Sequence, residues 1–316
     1  AKTREVREVH HDYRPRRIYA LFTAAWSADA SKIVFVGDTQ DWYRLYSIPV
    51  DGGRPTLLTT GDFDVTGPGF SSAMLQVAPG TGDIFYTSSE ASPAQRQVYR
   101  MPASGGNATR ITSVAGTHES AVLSPDGRWV ASVASADTTP GELYITDARG
   151  GESRRVTHSP LPEFADLPMA HVRYVSFPSR IDDFTLHARI VEPADLDPTK
   201  SYPVIIGNVY SATARNQWTW PRPVSLLQHA MAHDGDYISV QVDLRGSSGY
   251  GVDFREAFQG DWGGGDLEDL HSTVDYLKTL PYVDADRIGI WGNSYGGMMV
   301  LFALFERPGM FAAGVA

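Results

Sequence analysis

The sequence predicts a chain of two successive parts: a partial β-propeller of about three blades, followed by a mostly parallel sheet with helices on both faces. One observation is a strand-rich pattern that recurs three times in the first part. Another is the later change to continuous apolar strands that alternate with helix-like segments. Between the two lies LPEFADLPMA, which has two prolines and no clear period, so we divide the chain into 1–160, a linker at 161–170 and 171–316.

Three repeats align in the first part, and each contains a short turn, two clear strands and a pair of glycines. The repeats open with WSADASKIVFV from Trp26, VAPGTGDIFYT from Val77 and LSPDGRWVASV from Leu123. Their glycine pairs end 53 and then 45 residues apart, at Gly53, Gly106 and Gly151. Alternating apolar residues bounded by Gly, Pro, Asp and Ser indicate strands, and about four strands per repeat of this length is typical of propeller blades.

Each repeat also ends alike, with an apolar residue and a threonine after the glycine pair. These threonines are Thr59, Thr112 and Thr157.

A β-sandwich with similar hairpins is the alternative architecture for this region. Propellers close with about four to eight blades, and three blades alone would leave two open sheet edges. We therefore expect further blades upstream of this chain.

The second part alternates strands and helices. Strands are predicted at HVRYVSF, TLHARIVEP, YPVIIGNVY and YISVQVDLRG, which start at His171, Thr185, Tyr202 and Tyr237. The last two are continuously apolar, which indicates burial on both faces. SLLQHAMAH is helix-like, and a second, amphipathic helix with Asp266 as its N-cap is predicted from apolar residues at helical spacing. These apolar residues are Leu267, Leu270, Val274 and Leu277.

The segment RIGIWGNSYGG contains the pattern G-x-S-x-G between a strand predicted at 287–291 and an apolar helix-like run. A serine nucleophile at such a sharp turn has a strained backbone, and only small residues two before and two after it avoid a clash. Gly292 and Gly296 occupy these positions around Ser294. The turn exposes the hydroxyl and brings the backbone N–H of Tyr295 to a helix N-terminus, where it can stabilise an oxyanion.

Three segments resemble the serine peptidase family of prolyl oligopeptidase, dipeptidyl peptidase IV and acylaminoacyl peptidase: RIGIWGNSYGG, VDLRGSSGYGVDF and GDWGGGDLEDL. The repeats of the first part resemble those of β-propellers in TolB-like proteins and in prolyl-oligopeptidase-type enzymes. In that family a propeller caps an α/β-hydrolase domain, so the resemblance implies that 171–316 is the N-terminal part of such a domain, ending after the nucleophile elbow. It also implies Ser294 as nucleophile, the Tyr295 N–H as one oxyanion donor and the Tyr210 hydroxyl as the other. Tyr210 is followed by Ser-Ala-Thr where the family usually has small residues and proline, and a strand-end aromatic packed under a loop is its alternative role.

The remaining members of a catalytic triad are not found where the resemblance implies them. In α/β-hydrolases the acid and the histidine follow the serine in the chain. The 22 residues after Ser294 contain no histidine and no aspartate, and Glu306, their sole acid, is predicted at the end of the next helix, too far round to orient a base. Use of His187 or His271 as the base would break the topology of the fold. We therefore expect an internal piece of a larger peptidase, inactive alone, whose missing part supplies the aspartate and the histidine.

No metal or cofactor is predicted. His229 and His233 are spaced i,i+4, but no glutamate stands between them as in HExxH, so satisfied histidines on a helix surface are the preferred interpretation. Residues 263–265 are three glycines, without the Lys and Ser/Thr of a phosphate loop. Arg245 is expected to brace the structure rather than to touch substrate.

Composition excludes several classes of partner. The chain has 27 Lys and Arg against 37 Asp and Glu, a net charge of −10, which argues against a nucleic-acid partner. It has no cysteine, so disulfides and thiolate catalysis are excluded. No run of about 18 apolar residues occurs, so no membrane span is predicted. Cytoplasmic, periplasmic and secreted locations all stay open.

The predicted function is therefore a serine-type peptidase that hydrolyses short peptides through an acyl-enzyme on Ser294. An esterase of the same fold is one alternative. A non-catalytic propeller protein with a vestigial hydrolase domain is another. A peptide is the expected partner, and the resemblance is compatible with a homo-oligomer of the full-length enzyme. Side-chain preference and the choice between exo- and endopeptidase stay open.

Overall fold

The computed structural model describes residues 6–11, 13, 22–38, 41–67, 73–207, 214–218 and 224–316. The chain forms two compact units, each taking most of its residues from one half of the sequence. Unit 1 comprises 1–134, 142–157 and 249–252, and unit 2 comprises 135–141, 158–248 and 253–316. Each unit therefore contains a short segment from the other half of the chain.

The described residues of the first half form three four-stranded sheets, and within each sheet the strands lie side by side in chain order. The first sheet contains β1 (Ala24–Trp26), β2 (Lys32–Gly37), β3 (Arg44–Pro49) and β4 (Thr56–Leu57). The second contains β5 (Leu75–Val77), β6 (Ile84–Ser88), β7 (Gln97–Met101) and β8 (Thr109–Arg110). The third contains β9 (Thr117–Leu123), β10 (Trp129–Ala136), β11 (Thr139–Asp147) and β12 (Arg154–Arg155). One such sheet per sequence repeat confirms the prediction of a propeller-like region with four strands in each repeat.

The pattern shared by the three repeats has a local physical cause. All six glycines of the pairs have φ between 80° and 129°, a backbone conformation that costs glycine little. The threonine after each pair accepts a hydrogen bond from a backbone N–H of the third strand of its repeat. These bonds run from Leu45 to Thr59 at 2.9 Å, from Val98 to Thr112 at 3.1 Å and from Leu143 to Thr157 at 2.9 Å. The hydroxyl thereby extends the pairing of a fourth strand that is only two residues long.

Neighbouring sheets of unit 1 share hydrophobic cores. Ile84 and Tyr86 of β6 are buried in one core with Val36 of the first sheet. Phe85, between them in sequence, is buried in a second core with Leu123 of the third sheet. Because successive side chains of a strand point to opposite faces, the second sheet is covered on both sides.

Unit 2 is built on a six-stranded sheet. Its strands are β13 (His171–Pro178), β14 (Thr185–Glu192), β15 (Tyr202–Ile206), β16 (Ile238–Asp243), β17 (Val283–Trp291) and β18 (Ala313–Val315). Their order is β13-β14-β16-β15-β17-β18, in which the last four are parallel to one another and β14 is antiparallel to both of its neighbours, β13 and β16. Every residue of β16 is buried, including the polar residues Ser239, Gln241 and Asp243, so the predicted burial on both faces is confirmed.

Helices cover both faces of this sheet. The helices among the described residues are α1 (Val224–Asp234), α2 (Val252–Glu256), α3 (Gly265–Lys278) and α4 (Tyr295–Glu306), and a 3-10 helix spans Pro162–Asp166. Crossovers between parallel strands are right-handed. Since α1 leads one way along the sheet, from β15 to β16, and α3 and α4 lead the other way, α1 lies on the opposite face from α3 and α4. This is the start of an α/β-hydrolase domain. None of the described helices is long and apolar enough to cross a bilayer.

Helix α3 begins earlier than predicted. Gly264 is at the N-cap, and Asp266 lies within the first turn, so the prediction of Asp266 as the N-cap is wrong. Oδ1 of Asp266 still accepts hydrogen bonds from two backbone N–H groups at the start of the helix, from Gly263 at 2.8 Å and from Leu267 at 2.9 Å. The apolar face is confirmed, because the four residues that predict it are buried: Leu267, Leu270, Val274 and Leu277.

The tip of the β10–β11 hairpin, residues 135–141, belongs to unit 2. Arg189 donates to the Asp137 carboxylate at 2.7 Å, and the Tyr174 hydroxyl donates to it at 2.9 Å. The Asp137 backbone carbonyl oxygen lies 3.0 Å from Nε2 of His229. The tip is therefore held by a charged, largely buried hydrogen-bond network.

Candidate active site

The turn between β17 and α4 contains a strained residue. Strand β17 ends at Trp291, helix α4 begins at Tyr295, and Ser294 has φ 53° and ψ −124°. Side chains clash with the backbone in this region, so a non-glycine residue is rarely found there. Such a residue costs of order 1–3 kcal/mol and persists only where the surroundings over-determine it.

The two glycines of the motif touch each other across this turn. A Cβ on Gly292 would lie 2.5 Å from the carbonyl carbon of Gly296 and 2.9 Å from its Cα. Real Cβ atoms do not come so close to backbone, so no larger residue fits at Gly292 without moving α4. The close approach brings the end of the strand against the start of the helix, which forces the sharp turn at Ser294.

The serine itself is exposed, and its hydroxyl makes no capping bond to α4. Tyr295 is the first residue of α4, so its backbone N–H belongs to the first turn of the helix, whose amides point towards the N-terminal end. The partial positive charge of a helix N-terminus favours an anion at this point. The geometry supplies an accessible hydroxyl beside a site suited to an oxyanion.

The side chain of Tyr295 is held from two sides. Its hydroxyl donates to Oδ2 of the fully buried Asp266 at 2.5 Å. Its ring lies edge-on to Phe258 and to Trp262, with centroids 6.1 Å apart in each case. Burial raises the pKa of the Asp266 carboxyl, and three donated hydrogen bonds oppose that effect only in part.

The loop after β16 is braced beside this region by Arg245. Its guanidinium donates to both carboxylate oxygens of the buried Asp269 on α3, from Nε at 2.9 Å and from Nη2 at 2.8 Å. It also pairs with Asp182 at 2.9 Å. Arg245 is 6% exposed, so its contacts hold the loop against α3, as the expectation of a bracing role requires.

Two histidines of unit 2, His187 and His229, do not serve the elbow. His187 is on β14, which the sheet order separates from β17 by three strand spacings, or about 14 Å. Both ring nitrogens of the buried His229 lie at hydrogen-bond distance from backbone groups, 3.0 Å from the N–H of Ala170 and 3.0 Å from the carbonyl of Asp137. His229 is therefore a satisfied core residue and does not lie on the helix surface. Among the described residues no group of three potential metal ligands occurs.

The remaining predicted site residue, Tyr210, lies outside the described residues, so its role stays a prediction. Sequence reasoning missed the contact between Asp266 and Tyr295, because the two are 29 positions apart and no local pattern joins them. It also missed the aromatic cluster of Phe258, Trp262 and Tyr295. The sequence contains one signal of this cluster: Phe258 and Trp262 are four positions apart, directly before the three glycines at 263–265.

Comparison with known proteins covers both units. The family model described as the prolyl oligopeptidase family matches residues 224–316, and the one described as the dipeptidyl peptidase IV N-terminal region matches residues 3–141. A probable dipeptidyl peptidase 4 of Aspergillus flavus is 27% identical over 286 residues, which are 89% of this chain and 36% of that protein. Dipeptidyl-peptidase 5 of Porphyromonas gingivalis is 27% identical over 301 residues, 92% of this chain and 41% of that protein.

A solved structure agrees with these relatives. The crystal structure of Porphyromonas gingivalis dipeptidyl peptidase 4 superposes with a TM-score of 0.78 at 26% identity, over 93% of this chain and 40% of that one. The chain therefore spans less than half the length of each of these proteins, from 36% to 41%. The family models thus match both units: the prolyl oligopeptidase family model matches the residues that include the elbow, and the model of the dipeptidyl peptidase IV N-terminal region matches most of unit 1.

Proposed function

We propose that the protein is a serine-type peptidase that removes dipeptides from short peptides, with Ser294 as its nucleophile. The strained elbow is the observation that carries this proposal, since Ser294 keeps a φ of 53° and an exposed hydroxyl at a helix N-terminus. Backbone strain of order 1–3 kcal/mol that the surrounding structure maintains is often found at functional positions. The substrate class rests on the relatives, which are named as dipeptidyl peptidases.

The proposed reaction is acyl transfer to the serine. Oγ of Ser294 attacks the carbonyl carbon of the scissile bond while its proton passes to a base. The oxyanion of the tetrahedral intermediate accepts a hydrogen bond from the Tyr295 N–H, and the Tyr210 hydroxyl is the proposed second donor. Collapse breaks the C–N bond, the leaving amine takes up the proton, and an ester to Oγ is left. Water then hydrolyses this acyl-enzyme by the same steps in reverse.

The base and its orienting acid are proposed to come from residues outside this 316-residue chain. No histidine or aspartate follows Ser294 in the sequence. Of the histidines described in unit 2, His229 is bonded to backbone groups elsewhere and His187 is on a distant strand. On this proposal the 316 residues alone would not turn over a peptide, and measurable hydrolysis by them that depends on Ser294 would contradict it.

A fluorophosphonate probe tests the nucleophile. The protein purified from its source should be labelled on Ser294, and the Ser294→Ala variant should not be. Dipeptidyl p-nitroanilides with a free amino terminus should then be cleaved faster than their N-acetylated forms. Faster cleavage of simple esters than of any peptide would favour the esterase, and absence of labelling would favour a non-catalytic binding protein.

A further inference from the structure

A buried carboxylate lies directly behind the elbow. Asp266 has 0% exposure and accepts three hydrogen bonds, two from the backbone of Gly263 and Leu267 and one from the Tyr295 hydroxyl at 2.5 Å. Three accepted bonds at this depth satisfy most of its acceptor capacity. The carboxylate therefore links three segments: the glycine run before α3, the first turn of α3 and the first turn of α4.

The body of the Tyr295 ring is fixed as firmly as its hydroxyl. Phe258 and Trp262 stack on each other with an interplanar angle of 5°, and both meet Tyr295 at angles of 73° and 74°. Phe258 in turn packs against Gly246, where an added Cβ would lie only 2.7 Å from the ring. Edge-to-face contacts of this kind contribute about 0.5–1.5 kcal/mol each beyond burial.

Fixing this ring also constrains the backbone of the elbow. Tyr295 follows Ser294 directly and begins α4, so the direction of its Cα–Cβ bond determines where its backbone N–H points. Ser294 is in a conformation that relaxes unless its neighbours prevent it. A misplacement of about 1 Å at a reacting group can cost on the order of 100-fold in rate.

We propose that Asp266 is a positioning residue for the elbow: through the Tyr295 hydroxyl it holds the first turn of α4 so that Ser294 and the Tyr295 N–H keep their reactive geometry. The proposal rests on the proposed role of Ser294 as nucleophile. Asp266 does not touch substrate in this account and acts only through Tyr295. Burial, which raises the pKa of Asp266, also strengthens the bond it accepts because the surroundings are poorly polarisable.

A double-mutant cycle in the protein purified from its source tests this chain of contacts. The variants are Asp266→Asn, Tyr295→Phe and the pair together, and Asp275→Asn on the exposed face of the same helix is the matched control. Two readouts are taken: the rate of fluorophosphonate labelling, and deuterium exchange of the peptide 292–298. Thermal unfolding checks that each variant is folded.

We expect each single variant to be labelled about 10-fold more slowly and to exchange its elbow amides faster, with no such change in Asp275→Asn. The double variant should be no slower than Asp266→Asn alone, because the two residues act in series. Tyr295→Phe is the milder change and stays informative if Asp266→Asn fails to fold.

Additive losses in the double variant, or unchanged exchange in Tyr295→Phe, would overturn the proposal. The two proposals fail in different ways. If the wild-type protein is not labelled, the nucleophile assignment fails, while faster exchange of 292–298 in both single variants still shows that Asp266 holds the elbow through Tyr295.

Discussion

The glycine turns of unit 1 and the serine elbow of unit 2 both place residues at positive φ, but for different reasons. At Gly151 φ is 129° and nothing lies within 4 Å of where a Cβ would be, so the glycine serves conformation alone. At Gly292 φ is unremarkable, and it is the approach of Gly296 that excludes a side chain. Between these two elbow glycines the positive φ falls on Ser294. The glycine pairs of the repeats place positive φ on residues without a side chain, whereas the elbow places it on the residue with a hydroxyl.

The comparison predicts that the elbow glycine is the more costly to replace. Gly292→Ala should lower the free energy of unfolding by about 3 kcal/mol, because a Cβ would overlap backbone. Gly151→Ala should cost only about 1–2 kcal/mol, since only its φ is unfavourable. Urea denaturation of both variants measures the difference, and equal losses would show that conformation rather than space governs both sites.

A pH titration probes the interior of unit 1, where His118 of β9 is fully buried with Nδ1 2.9 Å from Ser132 Oγ and Nε2 3.0 Å from the Val114 carbonyl. Burial lowers the pKa of His118 to about 4 from an ordinary value of 6.5. As the pH falls, His118 is therefore protonated near pH 6.5 in the unfolded chain but only near pH 4 in the folded protein. Stability from this residue is complete above pH 6.5 and falls by up to about 3 kcal/mol as the pH drops through that window.

The variant His118→Gln isolates this contribution, because glutamine does not titrate while carboxyl groups titrate in both proteins. The loss of stability between pH 7 and pH 4 should be smaller in the variant. Parallel stability curves for the two proteins over this range would contradict the expected coupling.

Removing the side chain at the elbow should stabilise the protein while abolishing its reactivity. Ser294→Gly relieves the positive φ and should raise the free energy of unfolding by about 1–2 kcal/mol. Ser294→Ala removes the same hydroxyl but keeps the Cβ, so its stability should stay near that of the wild type. Thermal unfolding of the two variants separates strain from chemistry, and equal melting temperatures would mean that the elbow stores no strain.

The smallest effects are expected at the threonines of the repeats. Thr59→Val removes the acceptor for the Leu45 N–H and should cost about 1 kcal/mol. Thr112→Val should cost more, because that hydroxyl also donates to the buried Gln97 at 2.6 Å. Denaturation of the two variants gives the ranking, and the reverse order would show that the repeats are less equivalent than their sequences indicate.

Sequence patterns among residues close together in the chain predict most of the fold. Three such patterns depend on neighbours along the chain: the turn and glycine pair in each repeat, the apolar run of β15 and the helical spacing from Leu267 to Leu277. The elbow was predictable for the same reason, since strand, glycines, serine and helix are contiguous.

Contacts between distant positions are what the sequence does not reveal. The nearest neighbours of Asp266 predict an N-cap, although its strongest contact is with Tyr295, on another helix. The helical spacing of His229 predicts a surface position, whereas its contacts with Ala170 and Asp137 come from remote segments and bury it. Such pairings depend on the packing of whole elements, for which a single sequence has no periodic signal.

The hairpin tip that joins unit 2 bears on how relatives of this protein could exchange parts. Asp137 precedes the segment 161–170 and its partner Arg189 follows it, yet both lie in the same unit. In a chimera whose two parent sequences are joined at 161–170, Asp137 would therefore come from one parent and Arg189 from the other. Chimeras in which both parents keep this pair should be tolerated, whereas loss of either member leaves a buried charge without its partner. In this chain the contact between Asp137 and Arg189, and not the linker alone, therefore decides whether a crossover at 161–170 preserves the structure.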